Sequence, residues 1–304
     1  MLNKVCWLTH LILCISTTVH ATTLTPYQAN IQTIQEQTQL PIINTLELPQ
    51  TCFTQGFTID QQKLYLSCGQ YGKSRLSIYT LPAHLSSTKK NQPALKLLQS
   101  IPLPPEIFAE GLAVTEDFIY LLTWKSEQLI RFDKHKPSLD TANLFSYSGE
   151  GWGLSYDRSQ QQLLLSNGRH YIYTFHANAQ SLYPNIVSYA PLKAILSLTE
   201  KPLEKINELE VVENKLLFNR WFDNTVYFIE LLKLQGETPA YANAINLSAL
   251  SQRHQSTDVL NGIAYNPIDK TIWLTGKNWG MAYQMNAKPF FHLSRSEAPS
   301  TLAQ

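Results

Sequence analysis

One carboxyl, one ammonium, several amides and three indoles recur at matching places along this chain. Glu110 lies between Phe108 and Leu112, next to Gly111, on a run apolar enough to be buried. A buried carboxylate must find partners or change its pKa, and either outcome suits it to acid–base work. Gln55, Asn207 and Asn261 open three similar stretches. Trp124, Trp152, Trp221 and Lys277 lie at corresponding ends of strand-like runs. A lone tryptophan is ordinarily core and a lone lysine is ordinarily solvated. Their spread over five distant segments that end at one place is what sets this group apart.

The elements that must position them are five repeats. The openings are Thr54-Gln55-Gly56-Phe57, Ala109-Glu110-Gly111-Leu112, Gly151-Trp152-Gly153-Leu154, Asn207-Glu208-Leu209-Glu210 and Asn261-Gly262-Ile263-Ala264. Each is followed by a polar turn and an apolar run, such as Leu64-Tyr65-Leu66 or Ile272-Trp273-Leu274, that ends on a polar or aromatic cluster. Third strands alternate with period two, as in Leu76-Ser77-Ile78-Tyr79 and Val226-Tyr227-Phe228-Ile229. Fourth strands are expected near 95–103, 142–147, 186–192 and 241–247, with a short helix over 192–198. Self-similarity at about 40–55 residues is the mark of a propeller-type array. The expected fold is therefore all-β, a five-bladed β-propeller. The last repeat lacks a fourth strand, and the spare strand at 40–48 is expected to complete it and close the ring, leaving only short edges. The first and second strands of a blade are antiparallel. Gln55 and Ser67, Glu110 and Trp124, Trp152 and Asn167, Asn207 and Trp221, and Asn261 and Lys277 should therefore meet at one mouth. Glu208 and Glu210 straddle Leu209 and share a face, so one of the two reads as a structural acid.

Composition bounds the rest. The 304 residues carry 24 basic and 23 acidic side chains, which gives no field for nucleic acid or an anionic membrane. Only 15% are charged and 11% aromatic, a composition of a packed globule. Residues 1–21 read as a signal peptide: Lys4, an apolar stretch over Val5 to Ser16 that is short for a bilayer, then Val19-His20-Ala21. The mature protein is expected to be exported, periplasmic or secreted, without stable membrane insertion. A lead-in segment at 22–40, with a short helix over 28–37, precedes the propeller at 41–290, and a polar tail follows at 291–304. Loss of the leader removes Cys6 and Cys14. Cys52 and Cys68 then face each other across neighbouring strands, and a disulfide or two buried thiols both satisfy the sequence. Two cysteines are too few for a zinc ribbon or an iron–sulfur site.

Eight motifs in order resemble the plant-type glutaminyl cyclases and their bacterial members. They are Phe53-Thr54-Gln55-Gly56, Phe108-Ala109-Glu110-Gly111-Leu112, Leu122-Thr123-Trp124, Gly149-Glu150-Gly151-Trp152-Gly153-Leu154, Asn207-Glu208-Leu209-Glu210, Asn219-Arg220-Trp221, Val259-Leu260-Asn261-Gly262-Ile263-Ala264-Tyr265 and Thr275-Gly276-Lys277-Asn278-Trp279. The resemblance spans roughly residues 42–286. It implies a five-bladed propeller that converts N-terminal glutamine of peptides and proteins to pyroglutamate with loss of ammonia. It implies Glu110 as proton shuttle, Lys277 as its basic companion, Gln55 and Asn207 as substrate contacts, and Trp124, Trp152 and Trp221 as pocket walls. Asn261 joins the expected substrate-binding set. The chain departs at Ala109, where glycine is common, at Gly280, where proline is usual after Trp279, and at Cys68, often Thr or Ser.

The chemistry implied needs neither metal nor cofactor, and a monomer suffices for it. The substrate's α-amine attacks its own side-chain amide carbon, and one carboxylate can accept the amine proton and deliver it to the leaving nitrogen. Lys277, Asn207, Gln55 and the indole N–H groups are candidate donors to the tetrahedral oxygen. Two other readings use the same fold: a non-catalytic secreted propeller binding peptide or glycan, and a metal-dependent lactonase-like hydrolase. The second needs several carboxylates around a cation, and the expected mouth offers one strong acid, with Glu208 undecided.

Overall fold

Period-two apolar runs divided by short polar turns fold here as antiparallel meanders. The computed structural model describes residues 40–49, 52–82, 95–177, 190–196, 201–235, 240–254 and 258–292, all within a unit spanning residues 33–304. The expected leader, the helix over 28–37 and nearly all of the tail lie outside these residues.

β1 (Ile42–Glu47) comes first and is set aside by the chain. β2 (Thr54–Asp60), β3 (Lys63–Cys68), β4 (Arg75–Thr80) and β5 (Lys96–Pro102) form the first blade. β6 (Ala109–Val114), β7 (Phe118–Thr123), β8 (Gln128–Asp133) and β9 (Asn143–Ser146) form the second. The third holds β10 (Leu154–Asp157), β11 (Gln162–Leu165), β12 (Tyr171–His176) and β13 (Ala190–Leu196). The fourth holds β14 (Ile206–Val212), β15 (Lys215–Arg220), β16 (Thr225–Glu230) and β18 (Asn243–Asn246). The two-residue β17 (Ala240–Tyr241), which precedes β18 in the chain, adds in parallel to β13 as a fifth strand of the third blade's sheet. β19 (Leu260–Asn266), β20 (Thr271–Gly276) and β21 (Met281–Asn286) make the fifth, and β1 pairs antiparallel with β21 as its outermost strand. Among the described residues two short α-helices follow strands, α1 (Ser248–Ser251) and α2 (Lys288–His292), the latter crossing the expected tail boundary at 290/291.

The inner strands touch in the cyclic order β2, β6, β10, β14, β19 and back to β2. Five apolar clusters fill the five wedges between successive blades. Phe57 and Leu64 of the first blade meet Ala264 and Trp273 of the fifth, and Leu209 and Phe218 of the fourth meet Leu164 and Ile172 of the third. Each fully buried large side chain contributes about 1.5–3 kcal/mol. Glycines permit the close approach of inner strands: a Cβ on Gly153 would lie 2.0 Å from the Asn207 carbonyl oxygen. The channel between the inner strands is crossed by acids. Glu208 accepts from the Phe57 amide at 3.3 Å, and Glu210 accepts from the Tyr265 amide at 2.8 Å, so these acids tie β14 across the channel to β2 and sideways to β19.

One element differs from expectation. Residues 192–196 are strand, not helix, and the fourth strand of blade three is displaced from 186–192 to 190–196. The composition Leu192-Lys193-Ala194-Ile195-Leu196 favours helix, but pairing with β12, with Tyr171 opposite Ala194 and Tyr173 opposite Pro191, prevails.

A disulfide joins Cys52 and Cys68 beside the turn-bearing first hairpin. A closed loop of this size stabilises by about 3 kcal/mol in the chain-entropy picture.

Candidate active site

The site residues sit on bulges. In four blades the inner strand carries one extra residue near its start. The register skips between Thr54 and Gly56, Ala109 and Leu112, Ile206 and Leu209, and Leu260 and Ile263. Those intervals hold Gln55, Glu110, Asn207 and Asn261. A bulge leaves a residue unpaired and re-aims its side chain. The freed backbone groups are satisfied by the last polar residue of the second strand. Ser67 Oγ accepts from the Gly56 amide at 2.7 Å and donates to the Glu110 carbonyl at 2.5 Å. Ser166 Oγ repeats this with the Gly153 amide and the Asn207 carbonyl, at 2.8 and 2.5 Å. Asn219 does the same with its amide, from the Glu208 N–H to the Leu260 carbonyl. Each such side chain therefore joins the start of its own inner strand to the bulge of the next blade.

A second recurring bond aims the strand-end residues. The amides of Trp124, Trp221 and Lys277 donate to the carbonyls of Phe108, Lys205 and Val259, each two residues before a bulge residue, at 2.9–3.0 Å. Equivalent backbone positions thus present two indoles and an ammonium to one mouth.

The mouth holds a cavity of about 230 Å³ lined by Gln55, Glu110, Trp124, Trp152, Asn207, Trp221 and Lys277, together with Phe53, Phe108, Phe222 and Asp258. Glu110 is 6% exposed and its Oε1 accepts from Gln55 Nε2 at 3.2 Å. Burial drives its carboxyl well above the usual range; the Lys277 ammonium opposes this and the Glu150 carboxylate adds to it. Lys277, equally buried, has its Nζ 4.8 Å from the centre of the Phe53 ring. Burial lowers its pKa, against the pull of Glu110, Asp258 and Glu208. The two groups are pressed toward their neutral forms by the apolar walls and toward their charged forms by each other. Asn207 Nδ2 donates to Asn261 Oδ1 at 2.7 Å, and Asn261 Nδ2 donates to the Thr54 carbonyl at 2.8 Å.

Seven of the eight expected catalytic and binding residues therefore line one cavity. Asn261 is the exception: it is fully buried beneath the floor, where its side chain braces Asn207 and the Thr54–Gln55 backbone. Ser67 and Asn167, also expected at the mouth, do not line it, and Ser67 is wholly occupied by its bridge between blades. The expectation that the indole N–H groups face the reacting oxygen needs correction for two of the three. Trp124 Nε1 and Trp152 Nε1 both donate to Glu150 Oε2, at 2.9 and 3.0 Å. Phe53, Phe108, Phe222 and Asp258 were not anticipated. Phe53 and Phe108 stand two residues before Gln55 and Glu110, so superposing the repeats marks them; Phe222, at a positive φ of 62°, leaves no such trace. The nearby ring pairs Phe108–Trp124 and Trp152–Trp221 meet edge to face. A second, open cavity of about 540 Å³ occupies the other end of the channel, with Glu210 among its lining. Among the described residues no group of three or more His, Cys, Asp or Glu side chains is arranged to hold a metal ion. No helix among them is long and apolar enough to cross a membrane.

Fold and cavity together define a five-bladed propeller with a buried acid and a buried base in an aromatic mouth. A sequence model of the family described as glutamine cyclotransferase matches residues 11–287, and the chain belongs to that family. The glutaminyl-peptide cyclotransferase of Arabidopsis thaliana is 25% identical over 243 residues, 78% of this chain and 67% of the plant protein. The crystal structure of Myxococcus xanthus glutaminyl cyclase superposes with a TM-score of 0.60 at 28% identity, covering 81% of this chain and 95% of that one.

Proposed function

We propose that this chain is a glutaminyl-peptide cyclotransferase whose reaction is run by Glu110 within the aromatic mouth. The observation that supports this best is the pairing of a nearly buried carboxyl of raised proton affinity with Lys277 in one small cavity.

The side chain of an N-terminal glutamine enters between the indole faces, which exclude water and fold the chain so that the amine approaches its own Cδ. An α-amine has a reference pKa of about 7.7–8.0, so at neutral pH much of it needs a base. The raised pKa of Glu110 brings its proton affinity toward that of the amine, which suits transfer in both directions. Glu110 takes the amine proton as the N–Cδ bond forms, then delivers it to the departing amide nitrogen. The Cδ–N bond breaks and ammonia leaves. Gln55 holds Glu110 Oε1 in place, while Lys277 and Asn207 supply donors to the oxygen that gains charge. With the indole N–H groups of Trp124 and Trp152 occupied, Lys277, the Trp221 indole and the second N–H of the Asn207 amide, whose first is held by Asn261, remain for that role.

The proposed reaction draws on residues of a single chain, so a monomer suffices for it. We also propose export with cleavage near Ala21, supported by the Cys52–Cys68 disulfide, a bond kept in oxidising compartments. The intact mass of protein from the periplasm and medium tests this: a retained leader ends the export reading.

The function is tested by incubating a Gln-initiated peptide with the protein and following ammonia loss by mass spectrometry, with the N-acetylated peptide as control. Cyclisation of the free peptide alone is expected. Binding without ammonia loss would favour a non-catalytic propeller.

A further inference from the structure

Glu150 does not line the cavity, yet it joins the two halves of its wall. Phe53, Phe108 and Trp124 form one edge-to-face series; on the other side Trp152 meets Trp221 edge to face and Trp221 lies tilted against Phe222. Between them, a single oxygen, Glu150 Oε2, accepts both the Trp124 and the Trp152 indole N–H, while the Gly151 amide donates to the Trp124 carbonyl at 3.1 Å. The other oxygen faces Lys125 Nζ at 3.9 Å, and that ammonium lies 4.1 Å over the Trp124 ring.

We propose that Glu150 is a positioning residue that sets the spacing of Trp124 and Trp152, and so the width of the slot for the glutamine side chain. The inference rests on the cyclotransferase reading and extends it. An indole N–H can only donate, and a donor to a carboxylate makes a stronger bond than one to a neutral group. Two such bonds to one oxygen fix the two rings relative to each other. They also turn both polar edges away from the substrate, so the slot offers ring faces. The anion has a second effect, because it adds to the charges that face Glu110: Lys277 from β20's end, Glu208 from β14, and Glu150 itself from the segment before β10.

Glu150 is 40% exposed in its side chain, so its removal leaves neither a buried void nor a stranded buried charge. Steady-state kinetics on a Gln-initiated peptide would be compared for wild type, Glu150→Ala and Glu150→Gln. Indole resonances of ¹⁵N-Trp protein would be assigned through Trp124→Phe and Trp152→Phe. Glu150→Ala is expected to raise KM at least about tenfold, the loss of two charge-assisted bonds. It should also move the Trp124 and Trp152 indole resonances together while leaving that of Trp273 in place. Glu150→Gln keeps an oxygen acceptor and should recover most of KM. By removing the anion it should shift the acid limb of the kcat/KM profile to lower pH. An unchanged KM in Glu150→Ala overturns the proposal, as does a glutamine variant no better than alanine. If wild type releases no ammonia but the two resonances still move together, the clamp stands and the cyclotransferase reading fails.

Discussion

At the level of single residues, the account turns on how one carboxyl is kept both buried and able to ionise. Glu110 is raised first by burial and lowered by Lys277. If its carboxylate form takes the amine proton, activity falls as pH drops through this raised pKa, well above where an ordinary carboxyl titrates. Lys277→Met removes the cation that lowers Glu110, so the acid limb of kcat/KM should move to higher pH. The loss of a donor to the developing oxyanion should cut kcat by about 10²–10³-fold. A pH–rate series checks both, and an unmoved acid limb contradicts the coupling. Glu110, Lys277 and the three tryptophans could be picked out by residue type and repeat position alone. Glu150 could not, since nothing in the sequence says which oxygen two distant indoles will share.

Strands and turns were readable because period-two patterning survives in nearly every blade. The bulges were not, because an extra residue changes pairing without changing composition. Yet the bulges are what turn Gln55, Glu110 and Asn207 into the cavity, and Ser67, Ser166 and Asn219 are what hold them. Ser166→Ala would strand the Gly153 amide and the Asn207 carbonyl in a buried site, at a cost of about 1–3 kcal/mol. Its urea midpoint should fall, and KM should rise because Asn207 loses its support. A midpoint within error of wild type would show that the bridge is not needed. The misplaced strand at 190–196 has a related cause: local helix preference is outweighed by pairing with β12, which no single segment reveals.

At the scale of the whole molecule, three glutamates buried around the channel, Glu110, Glu208 and Glu210, shape its response to pH. Glu210 spans β14, β2 and β19 and has a pKa raised by burial to about 8. The unfolded chain gives the proton up near 4.5, so the native state holds it over the interval between. Stability is therefore greatest at acid pH on this account, declines as pH rises from about 4.5 to about 8, and levels off above. At about 1.4 kcal/mol per unit the decline is on the order of several kcal/mol. Glu208 and Glu110 act in the same direction. Urea unfolding at a series of pH values should show this fall, and Glu210→Gln should flatten it. A stability that climbs steadily from acid to pH 8 would contradict the assignment. The ring of blades was expected from the repeats. That the channel is braced by Glu208 and Glu210 together, where only one was thought structural, required the folded chain.

The most direct test is ammonia release from a Gln-initiated peptide by Glu110→Gln beside the wild type, at matched folding and saturating substrate. The account predicts turnover lowered by about 10²–10⁴-fold, the worth of a positioned acid–base group, with peptide binding retained. Turnover by Glu110→Gln equal to wild type would contradict it.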